Sequence, residues 1–187
     1  MSPSGTVAGD EQLRLFLGFR LPDATSQRIA DWQRGELGAP ERARLVPEEN
    51  LHVTIAFLGS RPAVEVDSIA GALHAAARRA TRPVLTPVRY RETRSVGMLV
   101  FEDLDGHAAQ VAADVHARLA ALGVYEPEKR PWLPHVTVVR FREQPRLRPP
   151  IPDLGPVVMS DAAVYISRLR PTGAQYEVLE SVPLGGG

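Results

Sequence analysis

The feature that most constrains this chain is a short pattern written twice. Leu51-His52-Val53-Thr54-Ile55-Ala56-Phe57 and Pro134-His135-Val136-Thr137-Val138-Val139-Arg140 each set a histidine and a threonine two residues apart inside an apolar run. In an extended strand, side chains at i and i+2 share a face. His52 and Thr54 therefore point one way, with Val53, Ile55 and Phe57 on the other side. His135 and Thr137 repeat this over Val136 and Val138. A single copy would read as a satisfied, partly buried polar pair. Two copies at the same phase are not something core packing asks for. One copy falls in each half of the chain, which predicts two related lobes facing each other across a groove, each offering one imidazole and one hydroxyl.

The remaining pattern fits that plan. Residues 13–19 and 51–58 read as apolar strands, the second ended by Gly59. Between them Asp23 is placed to cap a helix through Trp32, closed over residues 35–40. Residues 64–80 read as a helix with Val66, Ile69, Leu73 and Ala76 or Ala77 on one face. Strands follow at 84–90 and 96–101, then a helix capped by Asp105 and stopped by Gly123, then the second motif strand at 133–141. Five prolines make 144–156 an irregular surface loop. Residues 157–168 and 175–182 form a hairpin around Pro171-Thr172-Gly173. Hairpin-like pairs argue against a parallel sheet. The predicted fold is α+β: two mostly antiparallel sheets facing a central groove, with helices outside. Residues 1–12 are expected to be a flexible tail, 13–184 a single bilobal domain, and 185–187 a flexible end.

Composition removes several classes of function. The chain has 187 residues and no cysteine, which excludes disulfides, thiolate metal sites and thiol nucleophiles. It lacks a membrane-length apolar run, and residues 1–10 have no signal-peptide pattern, so a cytoplasmic, monomeric protein is expected. Net charge is zero, unlike a duplex-coating protein. Charge is uneven, however: between Glu128 and Arg148 six basic residues face two acids, either a solvated rim or a local phosphate-attracting patch.

Two histidines and two hydroxyls suit phosphoryl displacement. That reaction needs a base for the attacking water and an acid for the leaving oxygen, and histidine serves in both states near neutrality. The threonine hydroxyls can donate to non-bridging phosphate oxygens as charge builds. No Asp or Glu falls within the motif strands, which lowers the standing of a metallohydrolase. No cofactor and no metal are expected.

The pair His52-Val53-Thr54-Ile55 and His135-Val136-Thr137-Val138 resembles the twin HxTx signature of the 2H phosphoesterases. Within that superfamily the chain is similar to the RNA 2',3'-cyclic phosphodiesterases, the LigT-type 2'-5' RNA ligases. Arg14-Leu15-Phe16 with Leu21-Pro22 resembles the family's opening, and Glu49-Asn50-Leu51 with Phe57-Leu58-Gly59 flanks the first motif in the same manner. Pro134 and Arg140 flank the second, and Ser167-Arg168-Leu169 with Pro171, Gly173 and Tyr176 resembles the closing hairpin. The first motif continues Ile55-Ala56 where the family often has Leu-Lys, so a basic contact there is absent.

The resemblance implies a bilobal fold with its site in the central groove. It also implies hydrolysis of RNA 2',3'-cyclic phosphate ends to 2'-phosphomonoesters, with reversible 2'-5' ligation in some members. By motif position His52 would be the general acid, His135 the general base, and Thr54 and Thr137 the phosphate holders. Arg140 would sit near phosphate or base. Strict alternation puts it on the face opposite His135, so that role requires a twist or a strand end. Phe16 is a candidate for stacking on a base or for core packing, and Trp132 for a groove edge or a loop anchor. His74, His107 and His116 share no ligand spacing with the motif histidines and read as packing or surface residues. Two alternatives stand beside the RNA-end enzyme: a 2H phosphodiesterase acting on a small cyclic nucleotide, and an RNA-binding 2H module without turnover.

Overall fold

The computed structural model describes residues 11–38 and 43–185. The chain runs β1 (Gln12–Arg20), α1 (Asp23–Trp32), β2 (Ala43–Leu45), β3 (His52–Pro62), α2 (Val66–Ala77), β4 (Val84–Glu92), β5 (Val96–Glu102), α3 (His107–Ala121), β6 (His135–Phe141), β7 (Val157–Val158), β8 (Asp161–Arg170) and β9 (Gly173–Pro183). Among the described residues every strand pairing is antiparallel. The spatial order is β7-β4-β5-β6-β3-β1-β8-β9, with β2 on β6. The expected α+β class and antiparallel pairing are present, but the described residues form one continuous nine-stranded sheet rather than two, because the motif strands β3 and β6 pair with each other. The two lobes, β4-β5-β6 and β3-β1-β8-β9, join between the motif strands at one paired position, Val53 against Val136.

The faces opposite the motif residues make the core. Val53, Ile55, Val136 and Val138 are buried with Leu15, Leu17 and Phe19 of β1, Ile69 and Leu73 of α2, and Val111, Val115 and Leu119 of α3. Each such side chain contributes about 1.5–3 kcal/mol on burial. Stability therefore resides behind the groove. Among the described residues no helix is long and apolar enough to cross a membrane.

Several boundaries differ from the sequence expectations, each for a local reason. Asp23 does not cap α1: it is the first helical residue, and the Pro22 carbonyl accepts from the N–H groups of Thr25 and Ser26. Beyond Trp32 the helix widens into a π-helical turn, Gln33–Leu37, before Gly38. The cap of α3 is supplied by Asp103 rather than Asp105, its carboxylate accepting from Ala108 and Ala109 N–H. Gly123 does end α3, at φ +72, with Gly123 N–H on Ala120 O and Val124 N–H on Leu119 O, a Schellman closure. Gly59 does not end β3; at φ +68 it sits beside a register shift and the strand continues to Pro62. Strand β2 is absent from the sequence expectations. Residues 1–10, where most of the expected tail falls, and 186–187 lie outside the described residues.

Candidate active site

Both motif strands break phase at the same motif position. Along β1 the register passes from Gly18 opposite Thr54 to Leu17 opposite Ala56, so Ile55 is an extra residue. Along β5 it passes from Met98 opposite Thr137 to Gly97 opposite Val139, so Val138 is the extra residue. A bulge of one residue exchanges the faces of everything after it. The residue five after each histidine is thereby turned to the histidine's own side. In the first strand that residue is Phe57, which is 51% exposed instead of core-facing. In the second it is Arg140. This bulge is the departure from alternation that brings Arg140 to that side.

Each bulge is held by a side chain from a distant helix. His116 of α3 donates from Nε2 to the Ile55 carbonyl at 2.7 Å. The buried Gln33, in the π-helical turn, donates from Nε2 to the Val138 carbonyl at 2.6 Å, and Val46 N–H donates to the same oxygen at 2.9 Å. In chain order α1 lies between β1 and β3 and α3 between β5 and β6, so each helix secures the motif strand of the other lobe.

The histidines are presented alike. His52 donates from Nδ1 to the Asn50 carbonyl at 2.7 Å, and His135 from Nδ1 to the Leu133 carbonyl at 2.8 Å. Each bond fixes a tautomer and leaves Nε2 for chemistry. In neutral His52 that Nε2 accepts from the Thr54 hydroxyl at 2.9 Å. The His52 ring lies 4.7 Å from Phe16 and 5.5 Å from Tyr176, centroid to centroid, and Phe16 stacks on Tyr165. Gly18 makes room for it: a Cβ there would lie 3.1 Å from His52 Cδ2 and 3.0 Å from Val53 O.

Burial lowers the His52 pKa to about 4; the positive charges of His135 and Arg140 act in the same direction, and the bond to Asn50 partly offsets them. The unfolded chain would protonate this ring near pH 6.5. Because the unfolded state takes up the proton first, stability is complete above about 6.5 and falls as pH drops towards 4, by at most about 3 kcal/mol. Urea unfolding midpoints at pH about 7.5 and about 4.5 measure this, and His52→Asn is expected to remove that share of the loss. An equal acid loss in the variant would refute it.

A groove of about 370 Å³ brings together Phe16, His52, Thr54, Phe57, Thr137 and Arg140, walled by Arg14, Val46, Asn50, Ser167, Leu169, Ala174 and Tyr176. His135 stands on the Thr137 face of β6, close enough for its charge to act on His52. Phe16 is 3% exposed and packs against the His52 ring, in an aromatic cluster apart from the main core. Trp132 does not line the groove. Its indole N–H donates to Thr54 O at 3.0 Å and its ring meets Phe19 edge-on, so it anchors the approach to β6 onto β3. Of the six basic residues between Glu128 and Arg148, Arg140 lines the groove and the other five do not. His74 pairs with Glu180 on the surface. Among the described residues no three His, Asp or Glu side chains are grouped as a metal site. Gln33 and the bond by which His116, read from the sequence as a packing or surface residue, holds the first bulge have no signal in the sequence. Tyr176 enters there only within the family resemblance, and Phe57 within it and on the apolar face of its strand; the +5 position that Phe57 shares with Arg140 points to it as well.

The model of the LigT-like phosphoesterase family matches residues 19–86. A Thermus thermophilus protein named RNA 2',3'-cyclic phosphodiesterase is 29% identical over 189 residues, covering 93% of this chain and 91% of the relative. A Methanocaldococcus jannaschii protein of the same name is 24% identical, covering 90% of this chain and 99% of its own length. Among solved structures, TT0787 of Thermus thermophilus superposes with a TM-score of 0.78 at 28% identity, covering 93% of this chain and 99% of that one. LigT of Escherichia coli in its apo form superposes with a TM-score of 0.81 at 24% identity, covering 94% and 99%.

Proposed function

We infer that this chain, which belongs to the LigT-like phosphoesterases, hydrolyses the 2',3'-cyclic phosphate ends of RNA to 2'-phosphomonoesters. The observation that carries this reading is the convergence of His52, Thr54, Thr137 and Arg140 on one groove, with His135 on the Thr137 face of the same strand and close enough for its charge to act on His52. Thr54, Thr137 and Arg140 supply donors for the non-bridging phosphate oxygens. His135 takes a proton from water as the water oxygen bonds to phosphorus. The P–O3' bond breaks, and His52 gives its proton to O3', leaving a 3'-hydroxyl and a 2'-phosphate. With its pKa lowered to about 4, His52 is neutral near pH 7, so the acid role depends on the substrate's own charge: an anionic phosphate beside the ring favours its protonated form. A 5'-hydroxyl in place of water yields a 2'-5' phosphodiester by the same step, which is the ligation reaction.

The test is turnover of a dinucleotide ending in a 2',3'-cyclic phosphate, after exhaustive EDTA treatment, with the product isomer read by phosphorus NMR. Full activity and a 2'-phosphate are expected. A rate lost to EDTA and restored by zinc or manganese would return the metallohydrolase. A 3'-phosphate would exchange the two histidine roles. No turnover of any cyclic phosphate would leave an RNA-binding module.

A further inference from the structure

We propose that the RNA strand leaves the catalytic groove between β1 and β8 and lays the phosphates 5' of the cyclic end in a second cleft, lined by Arg14, Arg168 and Arg170. This rests on the phosphodiesterase reading and adds the path of the chain to it.

The second cleft follows from the sheet. The β1–β8 ladder runs from Phe19 opposite Ala162 to Leu15 opposite Ile166. Beyond that point β1 stays with β3, pairing Arg14 to Ser60 and Gln12 to Pro62, while β8 stays with β9, pairing Ser167 to Tyr176 and Arg170 to Gly173. The two strands diverge, and the fork between them is a cleft of about 410 Å³. Its walls share Arg14, Ser167 and Leu169 with the catalytic groove, so the two spaces adjoin at the fork, where Arg168 and Arg170 alternate along β8 with Ser167 and Leu169 and line the second cleft alone.

Size and chemistry both favour this exit. At about 370 Å³ the catalytic groove stands at the small end of ligand sites, room for a terminal nucleotide rather than for several. A 2',3'-cyclic phosphate closes the 3' end of a strand, so the rest of that strand must leave the groove. Arg14, Arg168 and Arg170 are exposed at the fork, against one acid in its lining, Glu11, and Glu177, which pairs with Arg168 at 3.2 Å. At the junction the Arg14 guanidinium lies over the Phe57 ring, 4.9 Å from its centroid. Leu169 beside it is 74% exposed. A basic track interleaved with exposed aromatic and guanidinium planes suits single-stranded nucleic acid, since every base has a face to stack. The basic residues of the 128–148 segment line neither space apart from Arg140.

The experiment compares kcat/KM for adenosine 2',3'-cyclic phosphate with that for a trinucleotide ending in the same cyclic nucleotide, at about 50 mM salt. The trinucleotide is expected to be preferred at least about tenfold, and the double variant Arg168→Ala, Arg170→Ala to lower that ratio by about the same factor. The salt dependence of the trinucleotide KM should weaken by about 0.7 log units per log unit of salt for each phosphate that the variant no longer neutralises. Both substrates are read on one preparation, so a partly unfolded variant does not change the ratio. Equal use of the two substrates by the wild type, or an unchanged ratio in the variant, overturns the strand path and leaves the phosphodiesterase standing. If neither substrate turns over, the phosphodiesterase reading fails and the path fails with it.

Discussion

Alanine at either His52 or His135 is expected to lower turnover of a 2',3'-cyclic end at least about a hundredfold, the scale of a positioned acid or base. The fold should survive both changes. Neither imidazole belongs to the main core, whose buried side chains lie on the opposite faces of β3 and β6. The His52 ring touches Phe16, Tyr165 and Tyr176, so its removal leaves a small gap in a satellite aromatic cluster. It also removes a group whose protonation opposes folding below about pH 6.5. Two groups that act on one displacement behave as a unit, so the double variant should be scarcely slower than the worse single one. Steady-state rates with melting curves on the same samples decide the matter. Near-normal turnover in either single variant would end the two-histidine mechanism, and a collapsed fold in both would assign the motif to structure.

What could be read in the sequence ends where side-chain alternation ends. His52 with Thr54 and His135 with Thr137 span three residues of unbroken strand, and the rule that i and i+2 share a face holds over that distance. It fails at the fourth motif position in both strands. Phe57 was expected in the core and Arg140 behind the catalytic face, and the same cause misplaces both: an extra residue, Ile55 or Val138, that shifts the phase by one. Nothing local announces these bulges, because neither position is a glycine and the donors that hold them are far away in the chain. His116 is 61 residues from Ile55, and Gln33 is 105 from Val138. Helix caps misled for a similar reason. Asp105 has a capping residue's chemistry but stands one residue before the N-cap, Gly106, and the Asp103 carboxylate reaches the free N–H groups of Ala108 and Ala109 across the intervening turn.

The bulge latch of the second motif carries the other large effect. Arg140 is turned into the groove by the Val138 bulge, and charge-assisted bonds to an anion contribute about 1.5–3 kcal/mol. Arg140→Ala should therefore lower kcat/KM by roughly ten- to a hundredfold. Gln33 does not itself line the groove, but it donates to the carbonyl at the bulge and to that of Val46 in the groove wall, and Val46 N–H alone would remain on the Val138 carbonyl in its absence. Gln33→Leu is expected to cost about tenfold in kcat/KM by letting Arg140 leave the anion, with the loss mainly in KM. Gln33 is thus a positioning residue, and its effect should require the residue it positions. In the Arg140→Ala background, Gln33→Leu should change kcat/KM by no more than about twofold, a coupling that the double-mutant cycle reads directly. A general loosening of the fold would instead lower activity by the same factor in both backgrounds. Losses that multiply independently would reduce Gln33 to a packing residue, and would leave Arg140 in the groove without a latch.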